Sequence, residues 1–275
     1  MYLCRRIFFF MRTFGLIGKS LSHSFSQQYI TEKFHQHHIA DAEYRLFSLS
    51  NIQEVKELLK LSTLYGFNVT APYKTEIIPF LDELDFIAQE VGAVNGVVKE
   101  NNKWVGYNTD VIGFEKLLQE FEIQNSKNKY HKPLFSKDTL SSKIRSYALV
   151  LGSGGAAKAV CYVLKQKNIP FQIVSRNKTG NTIPYNELTK SIISHYTLII
   201  NATPLGMYPH TDELPLLLYS ALTRNHVLID LIYNPEETLF LKEGKKRNAL
   251  TINGLTMFEA QAEENWKLFG IQAHK

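Results

Sequence analysis

Apolar residues along this chain recur in two rhythms. Short runs rich in aromatic and branched residues alternate with stretches in which apolar positions return every three or four residues. The first rhythm predicts strands at "TFGLIG" (13–18), "YRLFSL" (44–49) and "YGFNVT" (65–70). The second predicts helices in "SQQYITEKFHQHH" (26–38) and "NIQEVKELLKL" (51–61), with Asn51 as an N-cap. "AVNGVVKENNKWVGYN" (93–108) reads as a hairpin turning at Asn101-Asn102. The helix predicted over 109–121 places Val111, Phe114, Leu117, Leu118 and Phe121 on one face. Beyond Phe121 the periodicity lapses, and 122–144 reads as a polar, basic loop or linker.

The second half alternates more cleanly. Strands are predicted at 147–152, 171–175, 196–201 and 226–233. Helices are predicted after Gly154, near 185–194, near 215–222 and at 236–247, and the strongly helical "GLTMFEAQAEENWKLFG" (254–270) follows. Repeated strand–helix units with fully apolar strands imply an α/β fold around a parallel sheet.

The 275 residues suffice for one large or two medium domains, and 44% hydrophobic with 21% charged is an ordinary globular balance that excludes global disorder. The net charge is +5, concentrated in 125–145 (six Lys/Arg against one Asp) and 242–247 (four against one Glu). No aromatic-interleaved motif accompanies either run, so nucleic acid is not an expected partner. A positive field also suits an anionic small molecule. Cys4 and Cys161 form no CxxC or zinc spacing, which fits a reducing, cytoplasmic setting. His35, His37 and His38 lack a Cys or carboxylate at ligand spacing and read as a polar helix end, so no metal is expected. "MYLCRRIFFF" (1–10) is too short for a signal core or a membrane span and is expected to be a dispensable extension before a strand opening at Met11.

"YALVLGSGGAAKAV" is strand, glycine turn and helix. Gly152 makes the tight turn and Gly154 lets a pyrophosphate approach the helix N-terminus. Ala157 replaces the third glycine of GxGxxG. The next strand ends in "VSRNK", with Arg176 and Lys178 where an NAD-binding chain usually places an acid, so NADP is the expected cofactor. "NATPLGM" (201–207) is either a shaped loop for nicotinamide at the sheet's carboxyl edge or an ordinary turn. In "GFNVTAPYKTEI" (66–77), Lys74 is either a solvated lysine or a proton carrier; Asp110, heading a helix, is either a cap or its partner.

Taken together, "LSHSFS" (21–26), "NVTAPYK" (68–74), "GAVNGV" (92–97), "GYNTD" (106–110), "GSGGAAKA" (152–159), "NATPLGM", "DLIYNP" (230–235) and "NGLTMFEAQA" (253–262) resemble the shikimate dehydrogenases, in order, from Met11 to about Phe269. The glycine loop is generic; the combination is specific. The resemblance implies NADPH-dependent, reversible reduction of 3-dehydroshikimate to shikimate in aromatic amino acid biosynthesis. It implies Lys74 and Asp110 as the catalytic pair. Ser24 and Ser26 would bind the substrate carboxylate with Tyr233, and Thr70, Asn95 and Gln261 the ring hydroxyls. Gly152, Ser153, Gly154, Gly155, Ala156, Ser175, Arg176, Lys178, Thr203, Met207 and Gly254 would form the cofactor site. It also implies a substrate domain over 11–109 joined by 251–275, a doubly wound Rossmann domain over 110–250, and a monomer or homodimer.

Three places depart from the family pattern: Gln27 stands where proline is usual, "GKS" (18–20) replaces Gly-x-Pro, and Ser175-Arg176-Asn177 replaces the usual Asn-Arg-Thr. The segment 125–145 is longer than a typical family linker. A quinate/shikimate dehydrogenase using NAD is the enzymatic alternative, which Arg176 argues against. A non-catalytic NADPH or metabolite sensor is the other, which Lys74 and Asp110 argue against.

Overall fold

The computed structural model describes residues 11–21, 25–125 and 147–271. The 1–10 extension, Cys4, Ser24 and nearly all of the basic 125–145 segment lie outside the described residues. The chain divides into two compact units, one taking residues up to Thr109 and those from Ala262 on, the other Asp110–Gln261.

In the first unit β1 (Arg12–Gly18), α1 (Phe25–Gln36), β2 (Ala42–Ser48), α2 (Val55–Leu58) and β3 (Leu64–Val69) precede β4 (Glu83–Leu84), α3 (Phe86–Val91), β5 (Gly96–Glu100) and β6 (Lys103–Tyr107). The sheet order is β2-β1-β3-β5-β6-β4. β1 runs parallel to β2 and β3, and the β5–β6 hairpin is antiparallel. Its turn is Asn101-Asn102, both at positive φ (49° and 62°), which suits a tight hairpin. Asn51 does cap, but what it caps is a 3₁₀ turn, Ile52–Glu54, before the four-residue α2; Glu54 completes the capping box. Phe14, Ile30, Phe34, Tyr44 and Val98 pack on Trp266 and Phe269, while Ile17, Val55, Leu64, Phe67 and Ile77 fill a second cluster.

The second unit holds α4 (Asp110–Asn125), β7 (Ala148–Leu151), α5 (Gly155–Gln166), β8 (Phe171–Ser175), β9 (Ile183–Pro184), α6 (Lys190–His195), β10 (Leu198–Asn201), β11 (Val227–Asp230), α7 (Leu239–Lys245), β12 (Leu250–Ile252) and α8 (Leu255–Leu268), whose end belongs to the first unit. All its strands are parallel, in the order β12-β11-β10-β7-β8-β9. That is the doubly wound dinucleotide-binding order, with its topological switch between β7 and β10. The four residues of β7, β10 and β11 are buried throughout, as strands covered on both faces must be.

Two expectations are corrected. α4 continues to Asn125, so 122–125 is helix rather than loop. The stretch 215–222 contains only a 3₁₀ turn, Tyr219–Ala221. Buried Pro215 and Leu217 alternate with exposed Leu216 and Leu218, the period of extended chain, whereas a helix would turn the two buried residues to nearly opposite faces.

Candidate functional site

In the first unit, Thr70 and Lys74 leave the carboxyl end of β3. The Thr70 amide donates to Ile17 O (2.9 Å), and the Tyr73 amide donates to Thr70 O (3.0 Å). Tyr73 is buried, and its hydroxyl donates to Leu49 O (2.7 Å). The Val94 amide donates to Lys74 O (2.7 Å), so the lysine's backbone is pinned beside the residue that precedes Asn95. Lys74 itself is half-buried. The structure thus brings Thr70, Lys74 and Asn95 to one end of the sheet. Ser26 lies in the first turn of α1, half-buried.

Asn95 is buried in a polar network. Its Oδ1 accepts from the Thr109 amide (2.7 Å), and its Nδ2 donates to Thr109 Oγ1 (2.9 Å), which also accepts from Asn265 Nδ2 (2.9 Å). The Asn95 carbonyl accepts from Asn68 Nδ2 (3.3 Å), and Asn68 Oδ1 accepts from the Tyr44 hydroxyl (2.7 Å). Burial pushes the Tyr44 hydroxyl far above its ordinary value, so it stays a neutral donor. Sequence reasoning did not find Asn68, Thr109 and Asn265 as members of this network. Only the neighbouring motif residues gave a signal.

In the second unit, Gly152 has φ +106°, and a Cβ there would stand 3.0 Å from Thr203 Cγ2 and 3.1 Å from Ala202 O. Glycine is therefore required twice over, by conformation and by close approach. Gly154 faces open space and N-caps α5 with no side-chain hydrogen bond, and α5 has no acid in its first turn. With Ser153, Gly155 and Ala156 around it, this helix end keeps its amides and positive dipole available for an anion. Ser175 ends β8 with its hydroxyl donated to Asn177 O. Arg176 is exposed on the loop that follows, and Lys178 pairs with Glu187 at 3.5 Å.

Loop 201–207 leaves β10 on the other side of the switch point. Asn201 Oδ1 accepts from the Thr203 amide (3.1 Å) and hydroxyl (2.6 Å), and Asn201 Nδ2 donates to the buried carboxylate of Asp230 (3.0 Å). Burial pushes the Asp230 carboxyl up to about 7, against the opposing pull of hydrogen bonds from Thr238, Ile232 and Asn201. Met207 is exposed at the loop's end. Gly254 abuts Leu231 so closely that a Cβ would overlap its carbonyl. Tyr233 stacks on Phe258 (4.4 Å between centroids), and burial pushes its hydroxyl up to about 12. Gln261, on the same helix, donates its amide to Phe258 O (3.1 Å). Asp110 is buried at the head of α4, and Gly113 one turn later lies against Met257 and Gln261.

Sheet order, glycine turn and open helix end place the second unit in the class of Rossmann-type dinucleotide-binding domains. Residues 16–97 match the family model described as "Shikimate dehydrogenase substrate binding domain". A shikimate dehydrogenase (NADP(+)) of Clostridium beijerinckii is 38% identical over 94% of this chain and 92% of its own. One from Methanococcus maripaludis is 36% identical over 93% and 90%. A crystal structure of a shikimate dehydrogenase in complex with NADP+ superposes with a TM-score of 0.76 at 33% identity, covering 96% of this chain and 92% of that one. The chain belongs to the shikimate dehydrogenase family. No helix among the described residues is long and apolar enough to cross a membrane.

Proposed function

We propose that the protein catalyses the reversible NADPH-dependent reduction of 3-dehydroshikimate to shikimate, in the cytoplasm, as a monomer or homodimer. The supporting observation is the pinning of Lys74, through its own carbonyl, beside Thr70 and Asn95. A lysine with a fixed backbone in a half-buried place is suited to proton transfer in a way that a solvated lysine is not.

The bound nicotinamide supplies or takes a hydride. The Gly152–Ala156 turn at the head of α5 would hold the pyrophosphate, Arg176 the 2′-phosphate, and Thr203, Met207 and Gly254 the nicotinamide end. Lys74, as an ammonium, donates its proton to the ring oxygen as negative charge develops there, and in the reverse direction neutral Lys74 accepts the hydroxyl proton. Asp110 is the acidic member of this pair. Thr70, Asn95 and Gln261 orient the ring hydroxyls, while Ser24, Ser26 and Tyr233 take the carboxylate, fixing one ring face toward hydride transfer.

The test is absorbance at the reduced-nicotinamide band with shikimate or quinate and NADP or NAD. Fast reduction with shikimate and NADP is expected. Folded protein that binds NADPH yet reduces neither NADP nor NAD with either acid would overturn the proposal.

A further inference from the structure

We infer that Asp230 is a positioning residue: through the Asn201 amide it sets the conformation of loop 201–207, which leaves the sheet at the switch point. This rests on the reading that the second unit binds NADP(H) there. Neither Asp230 nor Asn201 is among the residues assigned above to substrate or cofactor.

Hydrogen-bond direction couples the two side chains. An ionised carboxylate only accepts, whereas an asparagine amide has one accepting and one donating end. Asp230 Oδ1 takes Asn201 Nδ2 (3.0 Å) and the Ile232 amide (3.1 Å), and its Oδ2 takes the Thr238 hydroxyl (2.5 Å). The amide of Asn201 must then turn its oxygen to the loop. There it receives both the amide and the hydroxyl of Thr203. Having given its proton to Asn201, Thr203 Oγ1 accepts from the Leu205 amide (3.3 Å). Asn201 Nδ2 also faces Leu205 O (3.4 Å). Turning the amide over would set oxygen against carboxylate and NH2 against two donors. All of these bonds therefore depend on an accepting oxygen in the Oδ1 place of residue 230. Asn201 and Asp230 are wholly buried, so water cannot substitute for the missing partner.

The same loop touches the glycine turn, since Thr203 and Ala202 are the groups that leave no room for a side chain at Gly152. Thr238 carries the carboxylate's second branch to the N-cap of α7, and a Cβ on Gly206 would lie 3.5 Å from Thr238 Cβ. Asp230 thus holds the start of the 201–207 loop through Asn201, while its other partner, Thr238, lies beside Gly206 near the loop's end.

The experiment uses Asp230→Leu, which removes the acceptor at similar size, at pH 8 with three readouts. Hydrogen exchange of amides 202–208 without ligand is expected to speed up by about tenfold; unchanged exchange overturns the inference. NADPH is expected to bind about five- to twentyfold more weakly, while adenosine 2′,5′-bisphosphate, which lacks the nicotinamide end, binds within about twofold of wild type. Equal loss of both ligands would make Asp230 merely structural. Asp230→Asn, whose amide oxygen can take the Oδ1 place while its NH2 donates to Thr238 Oγ1, is expected to keep slow exchange and most of the affinity; exchange as fast as in Asp230→Leu also overturns the inference. Asn201→Ala, which removes the same link from its other side, serves if Asp230→Leu does not fold. Wild-type protein that binds neither ligand would remove the NADP reading and leave the loop-exchange result to decide the role of Asp230.

Discussion

In the first unit the buried side-chain network is neutral: Tyr44, Asn68, Asn95, Thr109 and Asn265 share amide and hydroxyl bonds of 2.7–3.3 Å. In the second, the network under loop 201–207 is organised by a carboxylate, Asp230, with Asn201 and Thr238 as its donors. Neutral groups hold their geometry at any ordinary pH but leave amide orientations to be settled by mutual fit. A buried carboxylate dictates orientation and in exchange becomes sensitive to protons. The unit assigned the polar ring is built on the first plan, and the unit assigned the dinucleotide on the second.

The largest expected effect lies in the first unit. Lys74→Ala should lower kcat by about 10²–10⁴ and change the KM for shikimate little, because its contribution is made in the transition state. Near-normal turnover would return Lys74 to the role of a surface lysine. Thr109→Val tests the neutral network. It leaves two buried amide donors, from Asn95 and Asn265, without their common acceptor, and should cost roughly 1–3 kcal/mol in urea unfolding while NADPH affinity stays unchanged. Loss of cofactor affinity would show that the two networks are not independent.

The charged network is tested by pH. The Asp230 carboxyl is raised from its ordinary 3.8 to about 7, so between those values the folded chain binds the proton more readily than the unfolded one. Its contribution therefore makes stability fall as pH rises from about 4 to 7, by about 4 kcal/mol at most. Asp230→Asn should flatten that slope, which thermal unfolding across the window would report. A slope identical to wild type would mean that Asp230 does not titrate there.

The smallest effects concern cofactor choice. Arg176→Ala should raise the KM for NADP by about tenfold and leave that for NAD alone. Lys178→Ala should change it by less than about threefold, since Glu187 already engages that ammonium on an exposed loop. The opposite ranking would transfer the 2′-phosphate to Lys178.

Elements whose own residues supply the whole signal were legible in the sequence. β7, β10 and β11 are buried apolar runs, and the Asn101-Asn102 hairpin declares itself by residues tolerant of positive φ. The 215–222 stretch was misread because a dense set of leucines matches both periods until burial distinguishes them. The site was legible as motifs, but its supports were not. Thr109 meets Asn265 across 156 positions and Asn201 meets Asp230 across 29, and no local pattern encodes such pairings. Lys178 was readable as a cation but not as one already matched by Glu187, which follows a separate strand.

The ends of α8 also bear on how the molecule is made. Asp110–Gln261 is one uninterrupted run, whereas the first unit needs residues after Ala262: Phe269 packs on Phe14 at 5.0 Å, and Asn265 fills the space beside Gly96. During synthesis from the N-terminus, the half begun first is therefore the half completed last. The sheet of β1–β6 emerges from the ribosome with one apolar face waiting for its cover, and the nascent chain finishes its second unit before its first.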